Sequence, residues 1–558
     1  MVGLVLFCAL VLYMVWFRSG GPATGELSSR SSEMAGAHQV GEFVISLQEE
    51  LGGLAMDVSH STRPGRSLWR SVPGESFVSA ARGRESVQSS RAHFHVEDEV
   101  EERLPDQTVE SIEKRGDAVV VSGTLAGGEE SVAYTLTFSP ASDGRLRFVA
   151  EVEEPYNRVY LTYASEPEER FLGFGTQYTY FDLKGRKVPI FIGEQGIGRG
   201  AQPITFAANL QAGAGGEWYS SYASVPHYIT SESRSLFLEN YEYSSFDLRD
   251  ADRVQVEVFS RRMEGQILSG DSPAELIEQY TEYSGRMQPL PDWLVSGAVV
   301  GTQGGTEKVR RLHRQLKELD TPVAAFWLQD WVGQRQTSFG SQLWWNWELD
   351  RERYPCWDGL VDDLGEDSVR IMTYISPLLA DPSEKENVRR NLFREAERNG
   401  YLVKDCDGEP YMGRITDFSA AHVDLSNPAA RDWIKDVIKE NVVGDRASGW
   451  MADFGEGLPY DAVLHSGADS KRYHSRYAEE WAKVNREAVR ELGREDELVF
   501  FNRSGYTRSP GYSALFWLGD QMVTWDRHDG IKTAVTGMLT AGLSGYSLNH
   551  SDIGATRP

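Results

Sequence analysis

The chain has 558 residues, 40% of them hydrophobic, and a formal net charge of −26. That length buries more than one core and predicts two or three domains. The acidity argues against nucleic acid and anionic membrane surfaces as partners, since both would repel the chain over a Debye length of about 8 Å. The three cysteines, Cys8, Cys356 and Cys406, match neither a disulfide framework nor a zinc site, and no metal or organic cofactor is implied.

The first element is an unbroken apolar run from Val2 to Phe17, followed by Arg18 and a Ser/Gly/Pro-rich stretch. Its length lies between a signal-peptide core and a membrane span of roughly 17–25 residues. No Ala-x-Ala site follows directly, so residues 1–18 read as a signal anchor in preference to a cleaved signal peptide, and 19–39 as a flexible linker. The expectation is a membrane-anchored or exported protein. Arg18, on the C-terminal side, would favour the cytoplasm, but one flanking charge leaves the side of the membrane open.

Residues 40–285 are dominated by short alternating apolar runs separated by Gly, Pro, Asp and Asn, such as Glu42–Leu47, Ala133–Phe138, Leu146–Ala150 and Val254–Val258. Period-two alternation with almost no helical periodicity predicts an antiparallel β-sandwich. The Gly-rich stretches Phe171–Gly175 and Gly193–Gly200 are not followed by a helix pattern, so they read as sandwich loops approaching a neighbouring site rather than as nucleotide loops.

After the helical linker Ser272–Tyr283 and the Pro289-Leu290-Pro291 break, the rhythm becomes strand, loop, helix, the pattern of a parallel sheet or barrel. Strands are expected at Val295–Thr302, Ala324–Leu328, Val369–Ile375, Gly449–Ala452, Leu498–Asn502, Ser513–Leu518 and Tyr546–Asn549, with helices at Glu307–Glu318 and Lys471–Leu492. The fold class is thus α/β, a (β/α)8 TIM barrel over 286–558 preceded by the sandwich. The strand count stops at seven before Pro558, so the barrel is expected to lack its last unit.

Polar residues end most of these strands and would converge on the C-terminal rim, where such barrels hold their active sites. Two apolar runs each deliver one carboxylate there: Gly449-Trp450-Met451-Ala452 leads to Asp453, with Glu456 three residues on, and Ala514–Gly519 leads to Asp520. A retaining glycosidase needs one carboxylate to attack the sugar and a second to donate a proton, the two roughly 5–5.5 Å apart. A single rim aspartate is more simply a helix cap or an ion-pair partner; the matched pair is what points to catalysis.

With Gln329-Asp330-Trp331, Thr337-Ser338-Phe339-Gly340, Trp345-Asn346-Trp347, Trp450–Glu456, Gly519-Asp520-Gln521 and His550–Gly554, the chain resembles glycoside hydrolase family 31, and within it the sulfoquinovosidase branch. The resemblance runs from about residue 160 to the end. It implies a retaining α-glycosidase that hydrolyses a terminal α-linked hexose, with Asp453 as nucleophile and Asp520 as acid/base, which must begin protonated and later accept a proton from water. Asp330, Arg503 and His550 resemble the family's contacts to sugar hydroxyls and the transition state. Glu456 resembles an acid beside the nucleophile, either a substrate contact or a structural salt bridge, and Trp345 and Trp450 are candidate pocket walls. The partner implied is a carbohydrate, with a possible N-terminal membrane anchor; oligomeric state is left open.

In that branch a sulfonate is held by a glutamine, an arginine and a tryptophan, the arginine three residues before the tryptophan. Gln329 and Trp345 match, but the arginine's place is taken by Gln342. Glutamine cannot imitate the charged, forked guanidinium, so a neutral α-glucoside is expected slightly ahead of a sulfonated sugar. Arg335 could substitute if its loop folds inward. The family also continues beyond His550–Gly554 into a last barrel unit and C-terminal β-domains, so an inactive carbohydrate-binding remnant is the alternative reading, and a lyase or transglycosylase is a third.

Overall fold

The computed structural model describes residues 23–29, 36–142, 144–338, 340–415 and 417–553. The apolar segment Val2–Phe17 lies outside them, and among the described residues no helix is long and apolar enough to cross a membrane.

The N-terminal region is built from a nine-stranded, a six-stranded and a four-stranded sheet, antiparallel except where Leu27–Ser29 pairs in parallel with the strand Asp106–Arg115. Strand alternation builds the core. Along Glu130–Ser142, Val132, Tyr134, Leu136 and Phe138 turn inward while Ala133 and Thr135 stay exposed, and Phe138 pairs across the ladder with Phe148. The three sheets share one apolar cluster. The region also holds a helix that strand alternation does not announce, Pro203–Ala212, with Phe206 and Leu210 exposed.

The second region is a parallel sheet whose strands follow one another in chain order: β1 (Ala298–Thr302), β2 (Val323–Leu328), β3 (Arg370–Ile375), β4 (Gly449–Ala452), β5 (Val499–Asn502), β6 (Leu515–Trp517) and β7 (Asn549–His550). Sequential parallel pairing with helical crossovers is the winding of a (β/α) barrel. Helices Thr306–Glu318 and Ser470–Glu491 fall where their apolar stripes place them.

Two expected strands begin three residues late, at Ala298 instead of Val295 and at Asn549 instead of Tyr546. Asp292–Val295 forms a 3₁₀ turn after Pro291, and the chain joins the sheet only where the Ala298 amide donates to the Pro322 carbonyl at 2.9 Å. Tyr546 packs against Phe516, with ring centroids 4.5 Å apart, and its hydroxyl donates to the Tyr506 carbonyl at 2.7 Å, so β7 starts at Asn549.

The two regions meet over the rim. Of the Gly-rich stretches, Phe171–Gly175 is a strand rather than a loop, and the Gly175 amide donates to the Ser544 hydroxyl at 2.9 Å. Gly193–Gly200 is a loop whose Gly198 amide donates to Asp529 at 2.7 Å, while Gln195 hydrogen-bonds the Gly519 carbonyl. A long hairpin, Val78–Ser90 with His93–Leu104, also reaches this point: the Glu194 amide donates to the Ala92 carbonyl at its tip at 2.8 Å.

Candidate active site

Asp453 follows β4 directly, and its amide donates to the Ile375 carbonyl of β3 at 2.9 Å. The alternation that turns Asp453 into the barrel turns Trp450 out of it. Trp450 stacks on Phe500 and donates to Asn485 of helix Ser470–Glu491 at 2.8 Å. It therefore braces the strand from behind and does not wall the pocket.

Arg503, immediately after β5, is the hub. Its guanidinium lies 3.1 Å from Asp453, 3.3 Å from Asp520 and 3.3 Å from Glu194, and it hydrogen-bonds Glu456. Phe454 and Tyr222 lie over it, with ring centroids 4.1 and 4.3 Å from Cζ. Burial works against the Arg503 charge, but Asp453, Glu456 and Glu194 outweigh it and hold the cation firmly protonated.

Burial pushes the Asp453 carboxyl up, while Arg503 and the Tyr374 hydroxyl hold it back. Tyr374 takes Oδ2; Oδ1 has no hydrogen-bond partner although the guanidinium flanks it. One oxygen is thus anchored and the other available. Glu456 is fully buried, and burial pushes its carboxyl up to about 7 against the pull of Arg503. Asp520 remains partly exposed, and its Oδ2 lies 2.6 Å from the Tyr222 hydroxyl oxygen. Phe454 and Asp520 both hold left-handed backbone, φ 58° and 67°, a conformation that costs a non-glycine residue of order 1–3 kcal/mol and clusters at functional sites.

The other expected residues divide. The His550 ring packs edge-on against Phe501 at 4.9 Å with Nε2 unpartnered, and burial pushes the imidazole down to about 4, so it is neutral. Asp330 is wholly enclosed, receiving hydrogen bonds from Tyr354, from Arg353 at 2.8 Å and from the Gly304 amide at 2.9 Å. Its oxygens serve protein groups rather than facing the pocket. Gln329 accepts from Gln303 at 2.6 Å, which in turn accepts from Gln334 at 2.6 Å.

Trp345 joins this centre to a second one. It meets Phe454 edge-on at 5.1 Å and Phe418 at 5.2 Å. Phe418 and Trp344 enclose the Arg335 guanidinium, with centroids 3.9 and 4.1 Å from Cζ. Arg335 lies directly across the hairpin Gln334–Thr337/Gly340–Leu343 from Gln342, and its side chain packs back onto Trp344 and Phe418. Its Nε and Nη2 are buried without hydrogen-bond partners, and burial pushes the guanidinium down to about 10 against the pull of Glu384.

Glu194 and Tyr222 escaped the sequence reading, because both come from the N-terminal region and carry no motif. The available signal was the density of glycines around Glu194. A cavity of about 390 Å³ adjoins Glu194, bordered also by His93, Phe94, Phe191, Glu217 and Tyr219.

The chain is similar to known proteins over most of its length. Residues 289–556 match the glycosyl hydrolases family 31 TIM-barrel domain. The chain is 35% identical to the sulfoquinovosidase of Agrobacterium fabrum over 484 residues, 86% of this chain and 70% of that one. It is 34% identical to the Escherichia coli sulfoquinovosidase, covering 85% of this chain and 68% of that protein. A family 31 sulfoquinovosidase from E. rectale, solved with the aza-sugar inhibitor IFGSQ, superposes with a TM-score of 0.83 at 30% identity, over 92% of this chain and 74% of the other. The chain is a glycosidase and belongs to glycoside hydrolase family 31.

Proposed function

We propose that this enzyme is a retaining α-glycosidase whose substrate is an α-linked hexose bearing a sulfonate at C6, the sulfoquinovoside class. The observation that carries the retaining mechanism is the convergence of Asp453 and Asp520 on Arg503, at 3.1 and 3.3 Å. In the first step Asp453 Oδ1, free of hydrogen bonds, attacks the anomeric carbon while Asp520 protonates the departing oxygen. In the second, Asp520 takes a proton from water, which attacks the same carbon and releases Asp453.

Arg335 supports the anionic substrate. A guanidinium held between aromatic faces with two nitrogens unpartnered is a desolvated cation awaiting an anion, and a sulfonate offers acceptors that a planar fork can engage. Trp345, edge-on to both Phe454 and Phe418, makes one indole the link between the nucleophile end and the anion end. Gln342 favours the second reading, a neutral hexoside, because it supplies only neutral hydrogen bonds. Nothing in the site favours an inactive remnant: both carboxylates and their shared arginine are in contact.

Comparing kcat/KM for 4-nitrophenyl α-sulfoquinovoside and 4-nitrophenyl α-glucoside tests the proposal. Selectivity for the sulfonate is expected, and it should collapse in Arg335→Met. Equal rates, or selectivity that survives the substitution, would return the substrate to the neutral class.

A further inference from the structure

The Tyr222 hydroxyl stands between two carboxylates, 2.7 Å from Glu194 Oε1 and 2.6 Å from Asp520 Oδ2. A phenol has one proton to donate. Tyr222 does not lose it: burial, with Asp520 and Glu194 adding to it against Arg503, pushes its ionisation far above the ordinary value. Two ionised carboxylates cannot both be satisfied by one O–H, and the oxygen left over would face the phenol's lone pairs. Both contacts are attractive only if one carboxyl carries a proton and donates it to the phenol oxygen.

The surroundings decide which one. Glu194 faces Arg503, His93 and the Gly196 amide, the last donating to Oε1 at 3.4 Å. Burial opposes its charge, yet these partners and Tyr222 hold its carboxyl below the ordinary range, even with the buried Glu456 nearby. Asp520 faces Tyr222 and one guanidinium nitrogen, with Asp453 and Asp552 adding negative charge. The arrangement satisfied throughout is Asp520 protonated and donating to Tyr222, and Tyr222 donating to ionised Glu194.

The supporting shell is rigid. Gln195, next to Glu194, hydrogen-bonds the carbonyl of Gly519, next to Asp520. Arg199, buried, donates to the Gln195 side chain at 2.9 Å and to the loop carbonyl of Gly198 at 2.7 Å. The loop carrying Glu194 and the turn carrying Asp520 are thus held as one unit.

We propose that Tyr222 is a positioning residue whose hydroxyl switches acceptors during turnover, donating to Glu194 while Asp520 is the acid and to Asp520 once its proton has gone. This rests on the glycosidase reading above. When Asp520 gives its proton to the glycosidic oxygen, the C–O bond breaks and the new carboxylate turns an acceptor toward Tyr222. The phenol O–H rotates from Glu194 to Asp520, and Glu194 keeps Arg503 and the Gly196 amide. When Asp520 takes a proton from the attacking water, the phenol rotates back. No proton enters or leaves the pair Glu194–Tyr222 over a full cycle.

The test uses the whole enzyme and two leaving groups, a 4-nitrophenyl and a simple alkyl α-glycoside. In Tyr222→Phe the alkyl substrate should lose at least about tenfold more kcat/KM than the nitrophenyl substrate, since only the poor leaving group needs the acid. In Glu194→Gln the alkaline limb of the kcat/KM profile should move to lower pH, because the negative charge that keeps the proton in place is gone. Equal losses on both substrates with an unmoved pH profile would make both residues merely structural and overturn the proposal. A wild type that cleaves neither glycoside would instead overturn the functional reading, and infrared difference spectroscopy at neutral pH then decides on the switch independently. The protonated-carboxyl band should lose intensity on Asp520→Asn, in the Glu456→Gln background as well as in the wild type; a band of unchanged intensity in Asp520→Asn overturns the proposal whatever the activity.

Discussion

Two enclosed guanidinium groups organise this rim, and the protein treats them in opposite ways. Arg503 is in contact with four carboxylates, those of Asp453, Glu456, Asp520 and Glu194, whereas Arg335 has aromatic faces on two sides and two nitrogens without a hydrogen-bond partner. Taking a charge out of water costs several kcal/mol unless a partner is fixed in place. At Arg503 the partner is the protein itself, so the cation serves to hold these carboxyl groups together at the rim. At Arg335 no carboxylate of the described residues is in hydrogen-bond contact, and on the proposed reading the sulfonate of the substrate would supply the balancing charge.

The largest effects should come from the first centre. Asp453→Asn should reduce turnover of an activated α-glycoside to background, while Asp520→Asn should keep part of the activity on that substrate and form a glycosyl azide when azide is added, since an activated leaving group needs no proton. If the two variants lose activity equally, with no azide product, the assignment of nucleophile and acid is wrong.

Next comes the second centre. Arg335→Met should cost the sulfonated substrate about 1.5–3 kcal/mol of transition-state binding, roughly 10–150-fold in kcat/KM, and leave the neutral glucoside nearly untouched. Arg335→Lys should recover only part of the loss, because an ammonium lacks the planar fork. A matching loss on both sugars would show that Arg335 supports the loop instead of the ligand.

A smaller contrast concerns pH. Burial, with the charges of Glu194 and Asp453 adding to it against the pull of Arg503, raises Glu456 to about 7 from an ordinary 4.5. Below the ordinary value, folded and unfolded chains both hold this proton. As pH rises, the unfolded chain releases it first, so the folded state loses relative stability up to about pH 7. The melting temperature of Glu456→Gln, followed from pH 4.5 to 7.5, should fall less steeply than that of the wild type; parallel curves would mean that Arg503 already neutralises Glu456. The smallest effect is expected from Gln342→Arg, which adds a second fork but places it opposite Arg335, where like charges repel. Its gain on the sulfonated substrate should stay below about tenfold, and a larger gain would show that Gln342, not Arg335, occupies the anion position.

The barrel strands, the strand alternation of the β-rich region and the placement of Asp453, Asp520 and Arg503 at strand ends were legible because each depends on local period and chain order. The two strand starts that moved by three residues did so because a proline and a buried tyrosine redirect backbone that is apolar enough for a strand. Trp450 read as a pocket wall because its motif adjoins the nucleophile, but alternation within four residues of β4 sends it to the opposite face. Asp330 also sits at a strand end, and only its enclosure by Arg353, Tyr354 and the Gly304 amide separates it from the pocket.

By itself the sequence determined the succession of a β-rich region and a strand–helix region, the two catalytic-type carboxylates at strand ends, and the absence of an arginine at position 342. These are properties of periodicity and residue type, which act over a few neighbours. Only the tertiary structure decided that Arg335 faces Gln342 across a hairpin, that one guanidinium gathers four carboxylates, and that Glu194 and Tyr222 arrive from a region hundreds of residues away to meet Asp520. Desolvation and hydrogen-bond satisfaction depend on what surrounds a group on every side, and that enclosure exists only once the sheets have closed over the rim.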